Sequence, residues 1–108
     1  GPVPCTRLMS REEIEGTYEI NTGKLIVERL NGASTEEYPA ILVANHGPFT
    51  WGRDALDAVH NAAILEYIAK LASETIRINP ATEELSKAIL DKHYFRKHGT
   101  SSFYGQKS

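Results

Sequence analysis

The 108-residue chain has few or none of several features that would assign it to a specialised class. Its one cysteine, Cys5, excludes an internal disulfide framework and fits a reducing compartment. No apolar run approaches the ~20 residues of a membrane span, and no signal peptide is recognisable. The formal charge of −2 does not indicate a nucleic-acid partner. We therefore expect a cytoplasmic protein that binds neither nucleic acid nor membrane.

The glycine-rich phosphate-binding motifs GxGxxG and GxxxxGK[ST] are also missing, and no Ser-His-Asp or Cys-His arrangement is recognisable. The composition is that of an ordinary folded protein, with 41% hydrophobic and 24% charged residues. This length accommodates one small domain. The chain opens with Gly1-Pro2-Val3-Pro4 and has no initiator methionine, and we interpret residues 1–108 as a fragment of a larger domain.

Hydrophobic periodicity and capping residues predict four helices and one strand, the elements of an α/β fold. Ser10 and Glu13 form a capping box that begins the first helix, and Asn79-Pro80 is predicted to begin the last. The predicted helices cover residues 11–16, 22–30, 53–76 and 80–98, and the best strand covers residues 39–44.

The third predicted helix carries apolar residues at spacings of three and four. This pattern predicts one apolar face, which is typical of a helix that packs on a core. The residues of this face are Leu56, Val59, Ala63, Ile64, Ile68 and Leu71.

His46 is the first candidate for chemistry. It lies between an asparagine and a Gly-Pro pair, directly after the predicted strand, where an imidazole can point into a cleft. Imidazole is a common ligand of catalytic divalent metals, but a zinc enzyme usually needs three protein ligands. The alternative is a histidine that binds a loop carbonyl. The sequence shows no recognised spacing of the other histidines that would complete a metal site.

Other candidates lie near the end of the chain. His93 and Arg96 are three residues apart and share a helix face, so they could bind a phosphate ester or carboxylate, or form a solvated basic helix end. Tyr104 could be a general acid or base, or an aromatic residue that packs the terminus against another surface. His60, in the middle of the third helix, is interpreted as a structural histidine.

Taken together, these segments resemble the L-ribulose-5-phosphate 4-epimerase branch of the class II (metal-dependent) sugar-phosphate aldolase family. The His-Gly-Pro core is shared across the wider family, whereas the Asp-Lys-His-Tyr run and the Tyr-Gly-Gln ending are specific to the epimerase branch. The matching segments are Pro4-Cys5-Thr6-Arg7, residues 44–52, Asp57-Ala58-Val59-His60-Asn61-Ala62, residues 90–99 and Phe103-Tyr104-Gly105-Gln106.

The resemblance implies an α-β-α fold in which a central sheet is flanked by helices. It also implies that residues 1–108 are the C-terminal half of a class II aldolase domain, since family members are about twice this length. His46 matches the third histidine of a three-histidine metal site that holds Zn²⁺ or another divalent cation. Tyr104 matches an acid–base tyrosine that is donated across a subunit boundary, and His93 and Arg96 match residues near that site. The resemblance also implies a sugar-phosphate substrate and a homotetramer.

The activity implied by the resemblance is interconversion of L-ribulose 5-phosphate and D-xylulose 5-phosphate by metal-dependent retro-aldol and aldol steps. The isolated fragment is expected to be inactive, because it holds one of the three metal ligands. Two alternatives remain open. One is a class II aldolase that cleaves another sugar phosphate, and the other is a non-catalytic interaction module in which His46 binds no metal.

Overall fold

The computed structural model describes residues 2–98, in which residues 2–73 form one compact unit and the residues from Glu74 onward belong to a second. The helices and the small sheet confirm the predicted α/β class. No helix within this range combines the length and the apolar character needed to cross a membrane. The elements are α1 (Arg11–Glu15), α2 (Tyr18–Leu30), β1 (Ala40–Val43), β2 (Gly47–Thr50), α3 (Ala55–Ile78) and α4 (Lys87–His98).

Helix α1 begins at the predicted capping box. The backbone N–H of Glu13 donates to the Ser10 hydroxyl at 3.2 Å, and the backbone N–H of Ser10 donates to the Glu13 carboxylate at 2.9 Å. Two amides without partners in the helix are thereby satisfied. The helix ends at Gly16, as the sequence predicts.

Helix α2 begins four residues earlier than predicted, after Thr17. Asn21 and Thr22, next to the predicted start, bond to backbone carbonyls. The Asn21 amide donates to the carbonyl of Glu13 at 2.9 Å, and the Thr22 hydroxyl donates to the carbonyl of Tyr18 at 2.8 Å. The predicted end is confirmed, because Asn31 adopts the left-handed conformation that closes many helices (φ 45°).

Strands β1 and β2 form an antiparallel hairpin in which Leu42 lies opposite Pro48. The sequence did not predict β2, because glycine and proline are depleted in strands. The backbone explains why Pro48 is tolerated. Leu42 directs both its N–H and its C=O to the N-terminal segment, bonding the carbonyl of Pro4 and the N–H of Thr6 at 2.9 Å each. The missing N–H of Pro48 therefore removes no bond from the hairpin ladder.

The core of residues 2–73 lies where the hairpin meets α2. Leu25 of α2 and Ile41 of β1 are its fully buried large side chains. Thr6 is buried as well, and its hydroxyl accepts a bond from the backbone N–H of Ala44 at 3.1 Å. The buried hydrophobic residues are Leu25, Ala40, Ile41, Val43 and Leu65.

Asp54 caps the start of α3, because its carboxylate accepts the backbone N–H of Asp57 at 2.8 Å. Its predicted apolar face is exposed in the described structure: Leu56 is 79% and Val59 is 66% exposed. The buried residue is Leu65, nine positions after Leu56 and so on the opposite side of the helix. The predicted packing of this apolar face on a core is therefore wrong for residues 2–73.

Two hydrogen bonds fix the hairpin against that opposite side of α3. The Thr50 hydroxyl donates to the carbonyl of Ala58 at 2.9 Å, and the Asn61 amide donates to the carbonyl of Trp51 at 2.7 Å. These bonds replace apolar packing over the first two turns of α3. They also set where the strand after the His46 turn can lie.

Helix α4 begins at Lys87, not at the predicted Pro80. Asn79 closes a turn instead, since its side-chain oxygen accepts the N–H of Ala81 at 3.1 Å. Ser86 supplies the cap, because its hydroxyl accepts the N–H of Ile89 at 3.4 Å. Asn-Pro is a turn signal as well as a cap signal, and here the turn prevails.

Replacing Gly52 with alanine is expected to destabilise the hairpin–α3 junction. An added Cβ would lie 2.7 Å from the Cβ of Asp57 and 2.9 Å from the backbone nitrogen of Ala58. Overpacking of this kind costs about 1–3 kcal/mol. Gly23→Ala is the matched control, because Gly23 lies inside α2 and no heavy atom lies within 4 Å of an added Cβ. Alanine at this helical position is expected to raise the free energy of unfolding by about 0.5–1 kcal/mol. Urea unfolding measures both, and a Gly52→Ala chain as stable as the parent would contradict the crowding.

Candidate functional site

His46 lies on the tight turn that joins β1 to β2. Asn45 has φ 60° and Gly47 has φ 142°, so the positions on either side of His46 require backbone that asparagine and glycine adopt most readily. The backbone N–H of His46 donates to the carbonyl of Val43 at 2.9 Å. The Asn-His-Gly sequence therefore places one imidazole at the tip of a hairpin whose other end is anchored in the core.

The His46 side chain is exposed and contacts two aromatic rings. Its ring is stacked on Phe49, with 5.1 Å between centroids and 28° between planes. The Tyr18 ring lies 6.4 Å away at 31°. Among the described residues, neither imidazole nitrogen has a hydrogen-bond partner, so the alternative in which His46 satisfies a loop carbonyl with its ring has no support. Both nitrogens are open to a ligand.

An open groove of about 240 Å³ reaches the same turn. The turn residues Ala44 and Asn45 form one wall, and Tyr18, which also contacts the His46 ring, lies on another. The prediction that the His46 ring points into a cleft stays a prediction, because His46 does not line this groove. It is lined by Leu8, Met9, Ile14, Tyr18, Ala44 and Asn45.

The wall of this groove is held by a guanidinium that the sequence reasoning did not single out. Arg7 donates to both carboxylate oxygens of Glu13, at 2.8 and 3.1 Å, and to Glu28 at 2.9 Å. The Arg7 bond, helped by the Ser10 N–H, lowers the pKa of Glu13 to about 2, and the two carboxylates raise the pKa of Arg7. The link joins the segment before Leu8 to α1 and α2.

A divalent metal fits His46 as one ligand, because the imidazole is exposed and its nitrogens are open. The described side chains do not complete a centre: nowhere in residues 2–96 do three or more His, Cys, Asp or Glu side chains come together in a way that could hold a metal ion. A catalytic zinc site takes three protein ligands. His46 therefore stays a predicted ligand, and the described side chains do not supply two further ligands beside it.

The other candidates lie elsewhere. His93 and Arg96 are both on α4, in the second unit, where His93 is exposed and Arg96 is half-buried. Tyr104 lies outside the described residues. His60 is exposed on α3. The pKa of Asp57 is lowered mainly by hydrogen bonds from the Arg53 backbone N–H and side chain, and in small part by His60.

Comparison with known families matches residues 1–73 to the family model described as class II aldolase and adducin N-terminal domain. The matched range contains the His46 turn, both aromatic neighbours and the groove. It spans more than half of the 108 residues. The chain therefore belongs to the class II aldolase and adducin N-terminal domain family.

Proposed function

We propose that the protein containing this chain is an L-ribulose-5-phosphate 4-epimerase that interconverts L-ribulose 5-phosphate and D-xylulose 5-phosphate. The observation that carries the proposal is the exposed imidazole of His46, open at both nitrogens, on a turn within the family match. Class II aldolases typically depend on a divalent metal. The epimerase branch is favoured by the Asp91-Lys92-His93-Tyr94 run and the Tyr104-Gly105-Gln106 ending, which resemble that branch.

We also propose that residues 1–108 are the second half of the domain and that the assembled enzyme is a homotetramer. The exposed apolar face of α3 supports a larger domain, because folded monomers rarely leave a contiguous apolar patch of this extent in water. The proposal assigns the remaining metal ligands to the other half. Zn²⁺ is the proposed ion.

The proposed reaction explains the roles of the residues. Carbon 4 of the substrate carries no acidic proton, so the bond between carbons 3 and 4 must break and re-form on the other face of the aldehyde. A divalent metal, when bound, supplies Lewis-acid stabilisation of the negative charge that develops. His46 holds it, and Tyr104 exchanges a proton with the oxygen on carbon 4.

His93 and Arg96 are assigned to the substrate, close to the proton-transfer site. They share one side of α4, and both can donate hydrogen bonds to an anion. A guanidinium matches the oxygens of a phosphate group with two parallel bonds. The pair is therefore proposed to lie near the phosphorylated substrate, in the site to which Tyr104 contributes.

Incubating the assembled protein with a divalent metal and L-ribulose 5-phosphate separates the candidate functions. An epimerase yields D-xylulose 5-phosphate with all five carbons retained. The second candidate, a class II aldolase, is favoured by the family match itself and releases a three-carbon ketone and a phosphorylated two-carbon aldehyde. Phosphorus and proton NMR distinguish these products. Fragments without epimer would overturn the epimerase assignment, and no product together with no bound metal would indicate an interaction module.

A further inference from the structure

The His46 ring is held by contacts with aromatic side chains, one of which belongs to the hairpin. The imidazole is exposed on a turn, where a side chain normally samples several rotamers. A metal-bound histidine is usually held by a hydrogen bond from its other ring nitrogen to a carboxylate or carbonyl. Within residues 2–98 the His46 ring has no such bond, and its recorded contacts are aromatic.

Phe49 is well placed to hold the ring, because it is itself fixed. It lies in β2 directly opposite Ile41 of β1, and opposite residues in an antiparallel pair project to the same face of the sheet. Ile41 is 0% exposed, so this face of the hairpin points to the core. Phe49 is half-buried there, with part of its ring reaching the edge at which His46 lies.

The ring geometry is that of an attractive contact. Aromatic pairs attract each other at centroid separations of about 4.5–7 Å, in offset-stacked or tilted arrangements. The His46–Phe49 pair, at 5.1 Å and 28°, lies near the close end of that range, and the Tyr18 ring at 6.4 Å lies near the far end. Phe49 is therefore the stronger partner, and Tyr18 adds a contact from the start of α2.

We propose that Phe49 is a positioning residue that orients the His46 imidazole for metal binding by stacking. This inference rests on the proposed role of His46 as a ligand. Stacking restricts the ring without occupying either nitrogen, so one nitrogen remains for the metal and the other for a partner from the rest of the domain. Removing the aromatic face releases the imidazole into more rotamers, and the metal must then select the productive one.

Phe49→Leu tests the stacking, because it removes the ring and keeps an apolar side chain of similar bulk. Proton–carbon NMR of the His46 ring, assigned by its loss in His46→Ala, reports the ring current of Phe49. We expect the His46 ring protons to shift downfield in Phe49→Leu and to stay unchanged in Phe95→Leu, an exposed phenylalanine of α4. Phe49→Tyr keeps the aromatic face and is expected to restore the parent shifts.

The second measurement is Zn²⁺ affinity of the assembled protein, by chelator competition. We expect Phe49→Leu to weaken binding about tenfold, the lower end of the effect of removing a partner that orients a ligand. Phe95→Leu, which lies outside the stacked pair, should leave the Zn²⁺ affinity unchanged. If Phe49→Leu does not fold, Phe49→Met takes its place.

Two results would overturn the inference: unchanged His46 shifts in the leucine variant, or changed shifts with unchanged Zn²⁺ affinity. Both differ from failure of the proposed function. If the proposed function is wrong, His46→Ala itself retains full Zn²⁺ affinity, whatever the NMR of Phe49→Leu shows. Parent, Phe49→Leu and His46→Ala measured together therefore separate the two ideas.

Discussion

His46→Ala is expected to abolish both metal binding and turnover in the assembled protein. A three-ligand site that loses an imidazole keeps two protein ligands and exchanges the third for water. Losing a partner outside the ligand set costs about 10–100-fold in affinity or activity, and a direct ligand is expected to cost more. Metal content by atomic emission and turnover with L-ribulose 5-phosphate should therefore fall together.

His60→Ala is the matched control for this substitution. Both histidines are exposed, and His60 lies in the middle of α3 on a helix face that carries no proposed ligand. Replacing either exposed ring removes little from the core, so both variants should unfold close to the parent midpoint. A His46→Ala protein with full metal content would take His46 out of the ligand set, and an equal loss in His60→Ala would indicate a general effect on assembly.

Local chemistry explains which parts of the fold the sequence predicted. The capping box at Ser10 and the left-handed end of α2 at Asn31 are decided within a few residues, and both are confirmed. Strand β2 was missed because Pro48 is unfavourable in a strand unless its neighbour on the paired strand forms its own backbone hydrogen bonds with another segment. That neighbour, Leu42, bonds Pro4 and Thr6, more than thirty residues away along the chain. A single-sequence pattern does not contain that pairing.

The same distinction applies to the candidate site. The Asn-His-Gly pattern predicted an imidazole at the end of a strand, and the structure has His46 on the turn that follows β1. Its aromatic contacts were not predicted, since Tyr18 reaches it from another element and Phe49 does so only because β2 forms. The link from Arg7 to Glu28 likewise joins residues that are distant in sequence. Local patterns identified the candidate side chain, and tertiary contacts define its surroundings.

Tyr104→Phe is expected to reduce turnover strongly while leaving metal content and assembly unchanged. The substitution keeps the aromatic ring and its packing but removes the phenolic proton. Loss of a general acid or base lowers turnover by roughly 10²–10⁴-fold. Tyr67→Phe is the control, because Tyr67 is an exposed tyrosine of α3 that has no proposed role. Near-parent turnover in Tyr104→Phe would leave Tyr104 as a packing residue.

Mixing His46→Ala and Tyr104→Phe subunits tests whether the proposed site is shared between subunits. If Tyr104 acts in the site of a neighbouring subunit, an oligomer made of either variant alone is inactive, because every site lacks one group. In a mixed oligomer, some interfaces pair an intact His46 from one subunit with an intact Tyr104 from its neighbour. Those interfaces should recover part of the turnover, with the recovery greatest near equal proportions of the two variants. If both residues belong to one subunit, no combination restores a complete site, and turnover stays at the level of the variants alone.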